Sequence, residues 1–213
     1  MVDSGRSGVS PSSAGRSEVP PSSAGRRRGE QLVQAILDSA LDQLSTVGWN
    51  GLTMEGVAAG ARTGKAAVYR RWPSKADLVA AVLEAGMPPL GEIPDQGSIR
   101  EDLALLCRRM RDAMHSRSGT ALRSLLHECD SVSAQRFHEL IRTVVTEPST
   151  RHVRDLVGRG IVRGDVRPDA TGDYVVDVIP AMMMYRSKVC GSEWTDLDIA
   201  EMLDQVLVPL LKA

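Results

Sequence analysis

From residue 30 onward, apolar residues recur every three or four positions along nearly the whole chain, the period of helices packed by one face. Leu32, Val33, Ile36, Leu37, Ala40, Leu41 and Leu44 form the first stripe, and Gly48 is placed to stop it. Thr53 has the chemistry of an N-cap for a short helix whose apolar face is Met54, Val57, Ala58 and Ala61. A turn at residues 62–64 leads into a third helix from about Lys65 to Arg71. That helix ends where Pro73 forces Trp72 into an extended conformation. Ser74, with Asp77 three residues on, opens a fourth helix running to Gly86.

A linker containing Pro88, Pro89, Gly91, Pro94 and Gly97 interrupts the pattern. Helical periodicity then resumes. Ser98 and Glu101 read as a capping box before the stripe Leu103, Leu106, Met110, Ala113 and Met114. Shorter helices are expected around Ala121–Cys129, Ala134–Glu147 and Thr150–Arg159, with Val132 and Phe137 as a hydrophobic staple around a Ser133 cap. Two long apolar helices, about Ala170–Cys190 and Asp196–Lys212, close the chain. No alternating run marks a strand, so the fold class is all-α.

Composition agrees: 42% of residues are hydrophobic but only 3% aromatic, so Leu, Val, Ala, Ile and Met must build the core. Residues 1–28 differ. They repeat a decapeptide, GRSGVSPSSA then GRSEVPPSSA, rich in Ser, Gly, Pro and Arg, with little to bury. They read as a disordered arm ending in Arg26-Arg27-Arg28, either a solubilising tail or a strand of charge that follows DNA phosphates. The expected division is 1–28 arm, 29–86 helix-turn-helix domain and 87–213 helical domain.

Charge is unevenly spread. Residues 1–75 hold ten Lys/Arg against six Asp/Glu, a surplus of four, while the rest holds 16 against 21, a deficit of five. A basic front suits a polyanion-binding end. Cys107, Cys129 and Cys190 fall on apolar helix faces and read as buried, reduced thiols. No stretch is long enough to span a membrane and none has the core of a signal peptide, so a cytoplasmic location is expected.

Two short helices joined by a three-residue turn, behind a longer supporting helix, make the pattern of a helix-turn-helix DNA reader. Arg62, Lys65, Arg70, Arg71 and Lys75 place five cations across 62–75 with no acid among them. The helix start, Lys65-Ala66-Ala67, has small residues and a donor, as close approach to base edges requires. The segment TMEGVAAGARTGKAAVYRRWPSKADL, residues 53–78, resembles the DNA-binding signature of the TetR family of regulators. A second resemblance is RGDVRPD at 163–169, with Arg186 in the helix that follows.

That resemblance implies a DNA-binding homodimer with a C-terminal domain for ligand binding and dimerisation. It implies a phosphate contact at Thr53 and a base-proximal segment at Gly64, Lys65, Ala66 and Ala67. It also implies an aromatic contact at Tyr69 and a phosphate contact at Lys75. Thr63, Arg70 and Trp72 complete the expected DNA-facing set, to which Arg62 adds a possible cation. Arg62 stands where relatives usually have Gly in the turn.

The last two helices carry more apolar surface than a small domain needs, and Val178, Met182, Met183, Met202, Val206 and Leu210 are expected at a dimer interface. Met110, Met114, His115, Cys129 and Phe137 are candidates for an effector pocket, with adaptable core filling as the alternative. His127 and Cys129 face different sides of a helix, no metal spacing emerges, and no nucleophile, base and orienting group assemble. The expectation is no enzyme, no cofactor and no metal. Double-stranded DNA, an unidentified small molecule and a second copy are the expected partners, with no membrane. The most consistent reading is a repressor released from a palindromic operator by ligand. A regulator without a ligand, an activator and a helical protein-interaction module stand as alternatives.

Overall fold

The computed structural model describes residues 23–128 and 137–212. Residues 1–22 of the expected arm, Cys129 and the Val132–Ser133 staple lie outside them. All regular structure among the described residues is helical, and they contain no strand.

Helix α1 (Ser23–Gly51) starts earlier than the expected boundary at 28, so the Arg26–Arg28 run lies on helix rather than in an arm. Extending an existing helix needs no new nucleus, and Ala and Arg are good helix formers. Gly48 breaks α1 as expected, with φ 69° and ψ −173°. Helices α2 (Met54–Gly60), α3 (Lys65–Tyr69) and α4 (Lys75–Gly86) follow. Thr53 and Ser74 cap α2 and α4, each side-chain oxygen accepting an N–H three residues on at 3.1 Å. Ile36, Ala40, Leu44, Val57, Val68 and Leu78 close the N-terminal core.

Beyond the linker stand α5 (Ile99–His115) and α6 (Arg117–Glu128). Ser98 caps α5 by accepting from Glu101 N, but the neighbouring N–H of Ile99 goes to Asp165 at 2.6 Å. Residues 137–141 run through a π-helical turn (Arg142–Thr146) into α7 (Glu147–Arg163), so the two separate helices expected here form one. Then come α8 (Asp173–Val189), α9 (Asp196–Met202), a second π turn (Leu203–Leu207) and α10 (Val208–Leu211). Each π turn lies two residues before a proline, Pro148 or Pro209. A proline cannot donate to the carbonyl four residues back, and its ring clashes with it; the wider turn moves that carbonyl aside. The helix therefore continues past Pro148, where a break was expected, and the closing helix runs on past Pro209.

Two cores result. Ile99, Leu103, Leu106, Val157, Ile179 and Leu203 anchor the C-terminal one. The N-terminal one also takes in Ala121, Leu122 and Leu125 of α6 together with Phe137 and Leu140, so α6 packs against α1 and α4. Gly86 permits this: a Cβ there would lie 2.3 Å from Ser118 Oγ. Arg117 of α6 also pairs with Asp42 of α1.

Cys107 is buried, and desolvation pushes its thiol up to about 12. Cys190 contradicts the expectation of burial. It is exposed because α8 ends there, one residue before Gly191 turns the chain with φ 69°.

Candidate nucleic-acid interface

Helix α3 presents its surface because only Val68 is buried in the core. Lys65, Ala66, Tyr69 and Arg70 are exposed, whereas Ala67 and Thr63 are half-buried. Gly64 caps the helix without a side chain, and a Cβ there would meet nothing within 4 Å. Thr53, also exposed, caps the neighbouring α2.

The turn between α2 and α3 is set by Arg62, at φ 52°, with Thr63 N donating to Ala58 O at 2.9 Å. Arg62 itself takes the left-handed conformation; neither Gly60 nor Gly64 absorbs it. A side chain in this region costs about 1–2 kcal/mol. Arg62→Gly is therefore expected to raise stability by up to ~1 kcal/mol, part of the relief being offset by greater unfolded-chain freedom. It is also expected to weaken DNA binding and flatten its salt dependence by about one phosphate contact. Paired thermal melts and salt titrations check both.

Sequence reading missed an acid at this surface. Glu55 of α2 forms an ion pair with Lys65, whose ammonium lies 5.3 Å from the centre of the Tyr69 ring. Their hydrogen bond holds the Glu55 carboxyl below its usual range and the Lys65 ammonium above its own. The two residues lie on different helices, so the basic run at 62–75 conceals the partner. Glu55→Gln is expected to strengthen DNA binding roughly severalfold by freeing Lys65 and removing a like charge from the phosphates, as an anisotropy titration would show.

Lys75 and Trp72 play more structural parts than expected. Lys75 Nζ donates to Trp49 O at 2.7 Å and sits 4.2 Å from that ring's centre. Trp72 packs half-buried against the N-terminal core. Arg71 turns back to donate to Ala67 O at 3.3 Å.

In the C-terminal domain a cavity of ≈ 220 Å³ lies between α5, α6 and α8. Met110, Met114 and His115 line it; Trp194, Arg123 and Lys188, not singled out from sequence, do too. Phe137 does not. Its ring packs edge-on to Trp49 at 5.1 Å and 88°, filling the N-terminal core.

The expected interface residues separate into two groups. Met183 and Met202 are buried in the C-terminal core, because α8 packs on α7 and α9 on α5. Val178, Met182 and Leu210 are half-buried and Val206 exposed. Tyr174, Met184, Tyr185, Val189 and Leu197 extend the exposed apolar surface. Among the described residues no group of acids, histidines or cysteines could hold a metal, and no helix is long and apolar enough to cross a membrane.

A supported two-helix unit with an exposed second helix, basic at its start and joined to a helical domain, defines a helix-turn-helix DNA-binding regulator. Residues 36–82 match the family model described as bacterial regulatory proteins, tetR family, and residues 93–206 match the tetracyclin repressor-like, C-terminal domain. The chain belongs to the TetR family of DNA-binding transcriptional regulators.

It is 28% identical over 180 residues to an uncharacterized HTH-type transcriptional regulator of Mycobacterium tuberculosis, covering 83% of this chain and 86% of that protein. It is also 28% identical over 186 residues to the DNA-binding transcriptional repressor TetR of Mycobacteroides abscessus, covering 87% and 96%. The fold is similar to that of the regulator FadR of Bacillus subtilis, solved with stearoyl-CoA, at TM-score 0.59 and 15% identity over 84% of this chain and 97% of that one.

Proposed function

We propose that the chain is a homodimeric repressor whose grip on a palindromic operator is released by a small molecule in the C-terminal cavity. Thr53, Arg62, Gly64, Lys65, Ala66, Tyr69 and Arg70 are the residues assigned to the DNA surface, with Ala67 behind them. The observation that carries the release is a shared wall. Leu122 lines the cavity and belongs to the core that holds α4, and Met114, Ile141 and Val145 line the one and pack against the other. A ligand that shifts α6 shifts α4 and α1, on both of which α6 packs, and α1 carries α2 of the helix-turn-helix. The repressor relative and the ligand-bound fold relative support this reading.

A dimer would cover the exposed stripe of α8, in which Tyr185 is 54% exposed. Tyr185→Asp tests this. The wild-type chain is expected to sediment at twice its 23.0 kDa mass and to bind a two-half-site DNA. The variant is expected to sediment as a monomer and to lose most of that affinity. A wild-type monomer that binds operator as tightly would refute the dimeric reading.

A further inference from the structure

We infer that the C-terminal cavity is a receptor for a compact amphipathic carboxylate, an apolar body inside and an anionic head at the rim. This rests on the reading of the cavity as the effector site. Its depth is apolar: Met110, Met114, Leu122, Ile141, Val145 and Met183 line it. Its polar wall carries the cations Arg111, Arg123 and Lys188 with the imidazoles of His115 and His138 beside them, and no Asp or Glu lines it.

These charges are not equivalent. Arg111 is committed to Asp112 and Asp196 and donates to Trp194 O, so its charge is already matched. Arg123 and Lys188 have no carboxylate within ion-pair distance among the described residues; Arg123 makes only a long 3.4 Å bond to Thr120 Oγ1. His115, Arg123 and Ser187 also line an adjoining open groove that reaches Glu193, so the cationic rim opens toward solvent. An arginine matches a carboxylate with two parallel N–H donors, and a lysine supplies a point charge beside it. A cationic ligand would meet like charge, and a neutral one would leave both cations unused.

Size narrows the class. At about 30 Å³ for each water-sized group, ≈ 220 Å³ holds roughly seven. A six-carbon chain fits this volume with its carboxylate at the mouth. Trp194 forms part of the wall, held at φ 57° with its ring N–H donating to Met183 O at 3.0 Å, and so reports on occupancy.

Calorimetric titration of the full chain with hexanoate, hexan-1-ol, hexylamine and hexanoyl-CoA tests the assignment, with tryptophan fluorescence followed in parallel. Hexanoate is expected to bind at least about tenfold tighter than the alcohol or the amine. Arg123→Gln with Lys188→Gln is expected to reduce hexanoate to the alcohol's level while leaving the alcohol unchanged. Equal binding of alcohol and acid, preference for the amine, or binding of the thioester in place of the free acid each overturns the inference. DNA binding is measured on the same sample. If none of the four probes binds but DNA binding is intact, the ligand class is wrong and the regulator stands. If hexanoate binds as expected but does not release DNA, the receptor stands and ligand-controlled repression falls.

Discussion

Ala66→Glu is expected to abolish specific DNA binding while leaving the fold intact. Ala66 is exposed in the first turn of α3, on the face that carries Lys65, Tyr69 and Arg70. A carboxylate there would meet base-edge acceptors and two rows of phosphates, and like-charge contact across an interface costs several kcal/mol. Affinity at about 150 mM salt should therefore fall at least a hundredfold. The same change is nearly neutral for stability. Glu is a good helix former, and an acid in the first turn of a helix is favoured by its dipole by about 0.3–1 kcal/mol. An unchanged melting temperature with lost binding separates recognition from folding. Retained affinity would mean that α3 does not enter the groove.

The second large effect is on stability alone. Asp102→Ala is expected to cost about 3–5 kcal/mol, the penalty for breaking a buried ion pair from one side. Asp102 is fully buried near the start of α5 and accepts from Gln96 N at 2.8 Å. It faces Arg159 at 3.0 Å and Arg163 at 3.1 Å, both on α7. Nε and Nη2 of Arg159 have no aligned hydrogen-bond partner, so the Asp102 charge is what compensates that guanidinium there. Without it the linker loses its anchor through Gln96, and the ion pairs that tie α5 to α7 are lost. For a chain of this length the melting point should drop by roughly 10 °C. Asp102→Asn, which keeps the shape and the Gln96 bond, should lose less. A drop of only a degree or two for the alanine variant would contradict this account.

Much of the architecture could be read from local chemistry. Thr53, Ser74 and Ser98 cap the helices expected of them, and Gly48 breaks α1. The helix-turn-helix was the most legible part, since its turn, small residues and basic run lie within about 25 consecutive positions.

What escaped was set by partners distant in sequence. Asp102 looks like a surface acid in a helix's first turn; its burial comes from Arg159 and Arg163, sixty residues on. Lys65 looks like a free cation because Glu55 lies on another helix. Met183 and Met202 fit an interface pattern as well as a core pattern, and only the packing of α8 on α7 and of α9 on α5 assigns them to the core. Phe137 was an apolar residue with two possible destinations, and the space beside Trp49 decided between them. The cavity's cationic rim joins α6 to α8 and has no local signature at all.

The central claim is that the exposed face of α3 binds DNA with sequence preference. The most direct measurement is fluorescence anisotropy of the full chain against DNA from upstream of its own gene and a scrambled control, across roughly 50–200 mM salt. The expected result is tight binding that falls about a thousandfold over that range, exceeds the control throughout, and is lost in Ala66→Glu. Binding that ignores salt, or a random-sequence selection that enriches no site, would contradict it.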